Sequence, residues 1–98
     1  TIKAAMVPME TANLAFILLE SLPKLAQFGN ANAVTDVGVA GLLISAACKG
    51  ALFNVEINLN SLPENMSASY RGEMEDLRIQ CREQSREVMH CVHDRMQS

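Results

Sequence analysis

Tryptophan is absent, and one Tyr and three Phe are all the aromatic rings the chain has. A core with so few rings cannot rely on large aromatic burial, so aliphatic and sulfur-bearing side chains must fill it. Six Met and many Ala, without runs of β-branched residues at alternate positions, argue against a β-sandwich and for helix packed on helix. Basic residues are also scarce. Eight stand against eleven acidic ones for a net charge of -3, which excludes a broad nucleic-acid surface, since that needs a cationic face to neutralise phosphates. Three cysteines make an odd count, and Cys48 lies inside an apolar stretch; the expectation is reduced thiols and a cytoplasmic protein. The longest unbroken apolar run, 37–48, stops at Lys49, too short to span a bilayer, and no leader-like pattern opens the chain.

Ninety-eight residues make one small domain at most, with a core that is marginal unless it finds more surface to pack against. Periodicity gives three helices. Ala5, Met9, Ala12, Phe16, Leu19, Leu22 and Ala26 recur at three and four residues and form one stripe. Pro8 sits near the start of that helix, Pro23 should kink or interrupt its last turns, and Gly29 is a natural left-handed stop. A second helix is expected from Thr35, with the hydroxyl as cap and Asp36 in the first turn, where a carboxylate favours the positive end of the helix dipole. Between positions 37 and 55 its polar side chains are only Ser45, Lys49 and Asn54, the pattern of a central, buried helix. Gly38, Gly41 and Gly50 each lower its helix propensity by about 1 kcal/mol, so close approach of a neighbouring backbone or a ligand is expected there. A third helix follows Leu62, with Ser61 to Glu64 fitting a capping box and Met74, Leu77, Cys81, Gln84, Val88 and Cys91 facing inward. No internal repeat, low-complexity segment or linker is visible.

The stretch 29–60, GNANAVTDVGVAGLLISAACKGALFNVEINLN, sets amides at both ends of an apolar helix. A buried amide must find hydrogen-bond partners or cost a few kcal/mol, so these residues are the first candidates for a site. Asn54 and Asn58 share one helix face, with Gly50 a turn earlier on the same stripe. They can reach a ligand or clamp the loop that holds Asn30 and Asn32, and the pattern weighs these readings equally. Asn30 and Asn32 beside Gly29 have a turn-forming role as their default. Asp36 is either a helix-start carboxylate, favoured roughly two to one, or a general acid/base. Cys81, His90, Cys91 and His93 do not have the spacing of a metal site, and histidines in the last turns of a helix serve its negative end. Arg78, Arg82 and Arg86, interleaved with Glu75 and Glu83, have the form of a solvated face.

The blocks 29–40, GNANAVTDVGVA, and 50–59, GALFNVEINL, resemble the cyclodeaminase domain of the formiminotransferase-cyclodeaminase family. Val7-Pro8 resembles that family's entry to the preceding helix, and Ser61-Leu62-Pro63-Glu64 falls at a short polar turn. Where many members carry Ser after the second Asn this chain has Ala33, and Thr35 stands for another common Ser. The resemblance runs from about position 5 to 64. It implies that residues 1–98 are a single partial domain, the C-terminal half of a cyclodeaminase-like bundle that is about twice as long and opens with a glycine-rich segment.

The expected fold is therefore all-α, three long helices forming half of a larger helical bundle. The resemblance implies closure of 5-formiminotetrahydrofolate to 5,10-methenyltetrahydrofolate with release of ammonia, with Asp36 as the catalytic carboxylate and Asn30, Asn32, Asn54 and Asn58 binding the substrate. It implies a tetrahydrofolate derivative as substrate, no metal, and a homodimer or association with the N-terminal half, with neither nucleic acid nor membrane as partner. Hydrolysis of the methenyl compound is the alternative reaction, and a non-catalytic helical dimerisation module the alternative class.

Overall fold

The computed structural model describes residues 1–97, which form three helices with no strand among them: α1 (Ile2–Phe28), α2 (Ala31–Asn60) and α3 (Glu64–Gln97). Short connections make successive helices antiparallel, and the result is a rod of 52 × 16 × 15 Å. Along α2 and α3, Gly38 lies against Val92, Gly41 against Val88, Ser45 against Ser85 and Glu56 against Arg78, so the register descends steadily. Arg95, near the end of α3, donates to the carbonyls of Ala26, Gln27 and Gly29, which sets α3 parallel to α1 and closes the exposed end of α1.

The core is small-residue packing. From α1 come Ala5, Met9, Ala12, Ala15, Leu19, Leu22 and Ala26; α2 and α3 add, among others, Cys48, Leu52, Val55, Leu59, Met74, Cys81 and Val88. The α1 stripe read from the sequence is thus buried, except that Phe16 lies at its edge and Ala15 takes a place in it. On α3, Val92 replaces Cys91 in the core, while Gln84 has a polar task.

Pro23 does not interrupt α1, which continues to Phe28. A proline ring leaves the carbonyl four residues earlier without its helical donor. That carbonyl belongs to Leu19, and Nε2 of Gln84 on α3 donates to it at 3.4 Å. The long-range bond supplies what the helix lost.

The three expected helix boundaries are each displaced. Gly29 is extended, at φ -74° and ψ 163°, rather than left-handed. It still requires glycine, because a Cβ there would lie 2.5 Å from the Leu25 carbonyl oxygen. Asn30 rather than Thr35 caps α2: its Oδ1 accepts from the Ala33 amide at 2.9 Å, while Thr35 turns its hydroxyl back to the Asn32 carbonyl inside the helix. Asp36 consequently sits in the second turn, where the dipole has faded. No capping box forms at Ser61, which ends α2 and donates to the Asn58 carbonyl; the Pro63 carbonyl receives the Met66 and Ser67 amides of α3.

The expectation of a buried α2 is met on one side only. Val39, Leu42, Leu43, Phe53 and Ile57 are exposed, as are Val7, Leu14, Leu18, Leu25 and Phe28 of α1. By length and composition α1 and α2 are each apolar enough to cross a membrane, with 28% and 33% of their most apolar windows buried. Counting only unbroken apolar runs overlooked this, because isolated charges leave the average over a long window high. The strongly charged α3 packs along both helices, as in a bundle with one uncovered face.

Candidate functional site

Asn54 and Asn58 do share a face. Both border a groove of about 520 Å³ between α1 and α2, with Val7, Pro8 and Thr11 on the opposite wall and Gly50 at its base. Nothing lies within 4 Å of where a Gly50 Cβ would stand, so this glycine leaves open space rather than admitting a neighbour. Gly38 and Gly41 behave as expected, although side chains of α3 rather than backbone make the approach: Val92 and Val88 come within 3.2 and 2.9 Å of a built Cβ.

Asn58 Nδ2 donates to the Asn54 carbonyl at 2.8 Å, which leaves the Asn58 Oδ1 and the whole Asn54 side-chain amide, on residues that border the groove, with hydrogen-bonding capacity to spare. The groove therefore offers both donors and acceptors on an otherwise apolar wall, a combination that orients a polar heteroaromatic ring. Neither asparagine clamps the α1–α2 connection, which lies at the other end of α2.

Asp36 borders a second groove, of about 300 Å³, with Leu25, Gly29 and Ala40. Eighteen residues separate it from Asn54, which at 1.5 Å per residue is about 27 Å along α2. Asn30 and Asn32 are exposed at that same end, Asn30 with its side-chain oxygen engaged in the cap. The five candidates thus form two groups, Asn30, Asn32 and Asp36 at one end and Asn54 and Asn58 at the other. Sequence reading placed them in one site because it could not measure the helix between them.

Residues outside that reading matter too. Pro8 and Thr11 form the wall opposite Asn54, and the α1 stripe gave no sign of it because both sit off the buried face. Among the described residues no three His, Cys, Asp or Glu side chains gather to hold a metal, and the cysteines are free thiols. Burial, with Cys48 alongside, pushes the Cys81 thiol up to about 12. The Cys91 thiol is also raised, by burial and by Glu87, to which its Sγ donates at 3.5 Å.

The family described as formiminotransferase-cyclodeaminase matches residues 1–76, more than three quarters of the chain and all five candidates. The chain belongs to this family. Formimidoyltransferase-cyclodeaminase of Rattus norvegicus is a relative 34% identical over 64 residues. That match covers 65% of this chain and 12% of the relative, so the chain spans only a small part of the rat protein's length. No solved structure matches. Membership bears on α1, α2 and the first turns of α3; the remainder of α3 lies beyond the matched region.

Proposed function

We propose that this chain forms part of a cyclodeaminase site that closes 5-formiminotetrahydrofolate to 5,10-methenyltetrahydrofolate and releases ammonia. The observation that carries this reading is the groove in which Asn54, Asn58 and Gly50 converge, within a region that matches the family. In the reaction N10 attacks the protonated formimino carbon attached to N5. The N10 proton moves to the former imino nitrogen, which leaves as ammonia while the N5–C–N10 bridge takes the positive charge. Amides can hold the pteridine edge, and a carboxylate can carry the proton from N10 to the leaving nitrogen.

Asp36 cannot serve the Asn54 groove of its own chain across about 27 Å. A second copy removes the difficulty. Asp36, Ala40, Leu43, Ala47, Gly50, Asn54 and Ile57 follow one another at alternating spacings of four and three, a seam of the kind that pairs two helices. The seam is symmetric about position 45. An antiparallel, two-fold-related α2 therefore sets Asp36 level with the partner's Asn54, Leu43 against the partner's Ala47, and the partner's Gly50 opposite Ala40. Large meets small, and each end gains the polar group that it lacks.

Complementation in the complete domain tests both chemistry and assembly. Asp36→Asn and Asn54→Ala should each abolish most turnover alone, with a loss of about 10² or more for the carboxylate. Mixing the two variants should restore about a quarter of wild-type turnover, because half the dimers are mixed and each mixed dimer carries one intact site. Loss of turnover in both variants without recovery on mixing would remove the shared site. Full turnover in Asp36→Asn would remove its proton-transfer role and leave the helices as a non-catalytic assembly module.

A further inference from the structure

Cys48 and Cys81 take no part in the folate reading, yet the packing of α2 on α3 sets them face to face. Gly38 lies against Val92, Gly41 against Val88 and Ser45 against Ser85, so each turn forward along α2 matches a turn back along α3. One turn beyond the serine pair, Cys48 stands opposite Cys81. Both belong to the core, and the Cys48 thiol acts directly on that of Cys81. Cys81 lies beyond residue 76, so the pair is not something that family membership supplies.

The two helices are close in the layers that lead up to the cysteines. A Cβ at Gly41 would stand 2.9 Å from Val88 Cγ1, and the Ser45 and Ser85 hydroxyl oxygens are 2.5 Å apart. Sγ takes the place of Oγ on a longer bond, so where serine oxygens already meet, sulfurs one turn on can span the Cβ separation of about 3.8 Å that a disulfide needs. The hydrogen bond from Cys48 Sγ to the Ala12 carbonyl is long, at 3.9 Å, and a thiol is a weak donor, so turning that sulfur toward Cys81 gives up little. A cavity of about 340 Å³ between α2 and α3 borders both residues and gives a small oxidant a path to them. Cys81 is 5% exposed and Cys48 not at all, so Cys81 meets the oxidant first. Cys91 borders a different groove, beside Glu87 and His90, with neither of the other thiols in it.

We propose that Cys48 and Cys81 are a redox pair, which hydrogen peroxide converts into a disulfide that joins α2 to α3. The Cys81 sulfur attacks one peroxide oxygen, the O–O bond breaks, and a sulfenic acid forms as the first water leaves. The Cys48 sulfur then displaces the sulfenic oxygen, which departs as the second water, and the S–S bond forms. Two thiols are oxidised and one peroxide is reduced. Burial holds the Cys81 thiol protonated at neutral pH, so the bond forms slowly, under sustained exposure. It closes the loop from 48 to 81 and removes freedom from the unfolded chain, which adds a reversible staple to a small core. The pair is independent of the folate reaction, since Cys48 sits on the buried side of α2 and leaves the seam of Asp36 and Asn54 unchanged.

Peroxide treatment of the 98-residue chain, with thiols counted after denaturation, tests the pairing. In Cys91→Ser the two remaining thiols should disappear, and trypsin without reductant should release peptide 25–49 joined to peptide 79–82. The melting temperature should rise by about 10 °C or more and return when dithiothreitol is added. Cys48→Ser and Cys81→Ser, each combined with Cys91→Ser, should show no such rise. The unsubstituted chain, treated alongside, reports through Cys91 that peroxide has acted. Thiols that survive in Cys91→Ser after Cys91 of the unsubstituted chain is oxidised, or that vanish without the linked peptide, would overturn the proposal. So would a disulfide between two chains, or a linked peptide with no rise in melting temperature.

Discussion

A methyl group added at Gly41 would stand 2.9 Å from Cγ1 of Val88, whereas one added at Gly50 would meet nothing within 4 Å. Each substitution gains about 1 kcal/mol of helix propensity, so packing decides the sign. Val88 is fully buried and β-branched, with few alternative rotamers, and overpacking of this kind costs about 1–3 kcal/mol. Gly41→Ala should therefore lower stability and Gly50→Ala raise it, as read by denaturant unfolding of the two variants beside the parent. A stabilised Gly41→Ala would mean that α3 yields without cost. Cys81 gives a second residue-level expectation. Its folded thiol is raised to about 12 from the ordinary 9.0, so the folded state holds this proton more tightly than the unfolded one. The resulting stability is complete below pH 9 and is lost as pH climbs from there toward 12. In a pH series of melting points, Cys81→Ala should flatten the decline over that window; an unchanged slope would assign it to other groups.

Pro23 shows at the element level what sequence could and could not disclose. Its ring predicted a broken helix, and the loss of the Leu19 carbonyl's donor is real, but the remedy comes from Gln84, sixty-five residues away. Local rules state a need and cannot name a distant partner. A double-mutant cycle should reveal the link: Gln84→Leu should cost about 1 kcal/mol in the parent and less once Pro23→Ala restores the helical donor. Equal costs in both backgrounds would mean that the 3.4 Å bond contributes nothing. The three helices and the buried α1 stripe were legible because period and composition are local properties. The start of α2 was not, since Asn30 and Thr35 are both good caps and only the tight extended turn at Gly29 selects Asn30. The candidate site was legible as residues and not as geometry: Asn54, Asn58 and Gly50 share a groove because one helix carries them a turn apart, while Asp36 lies five turns away on that helix.

The whole molecule exposes 6213 Å², against about 5,500 Å² expected for a compact monomer of 10.7 kDa. Part of the excess belongs to the rod shape, and its apolar share is concentrated on one side. Val7, Leu14, Leu18, Leu25 and Phe28 of α1 follow at spacings of seven, four, seven and three, and Val7 and Leu25 border the same grooves as Asn54 and Asp36 of the α2 seam, so two uncovered apolar rows run next to each other along the bundle. Soluble monomers rarely leave contiguous apolar patches above a few hundred Å². Sedimentation at micromolar concentration should therefore show a dimer or larger species. Leu18→Glu and Leu43→Glu, which place a charge on either row, should shift it to monomer, while Ile79→Glu on α3 should not. Because α1 and α2 are each apolar enough for a bilayer, flotation with neutral lipid vesicles distinguishes the second copy from a lipid surface as the cover. Dimers that remain in the aqueous fraction agree with the symmetric seam. A monomer that unfolds cooperatively and ignores vesicles would show that three helices suffice to hold this chain together, and with that the shared site proposed above would lose its physical basis.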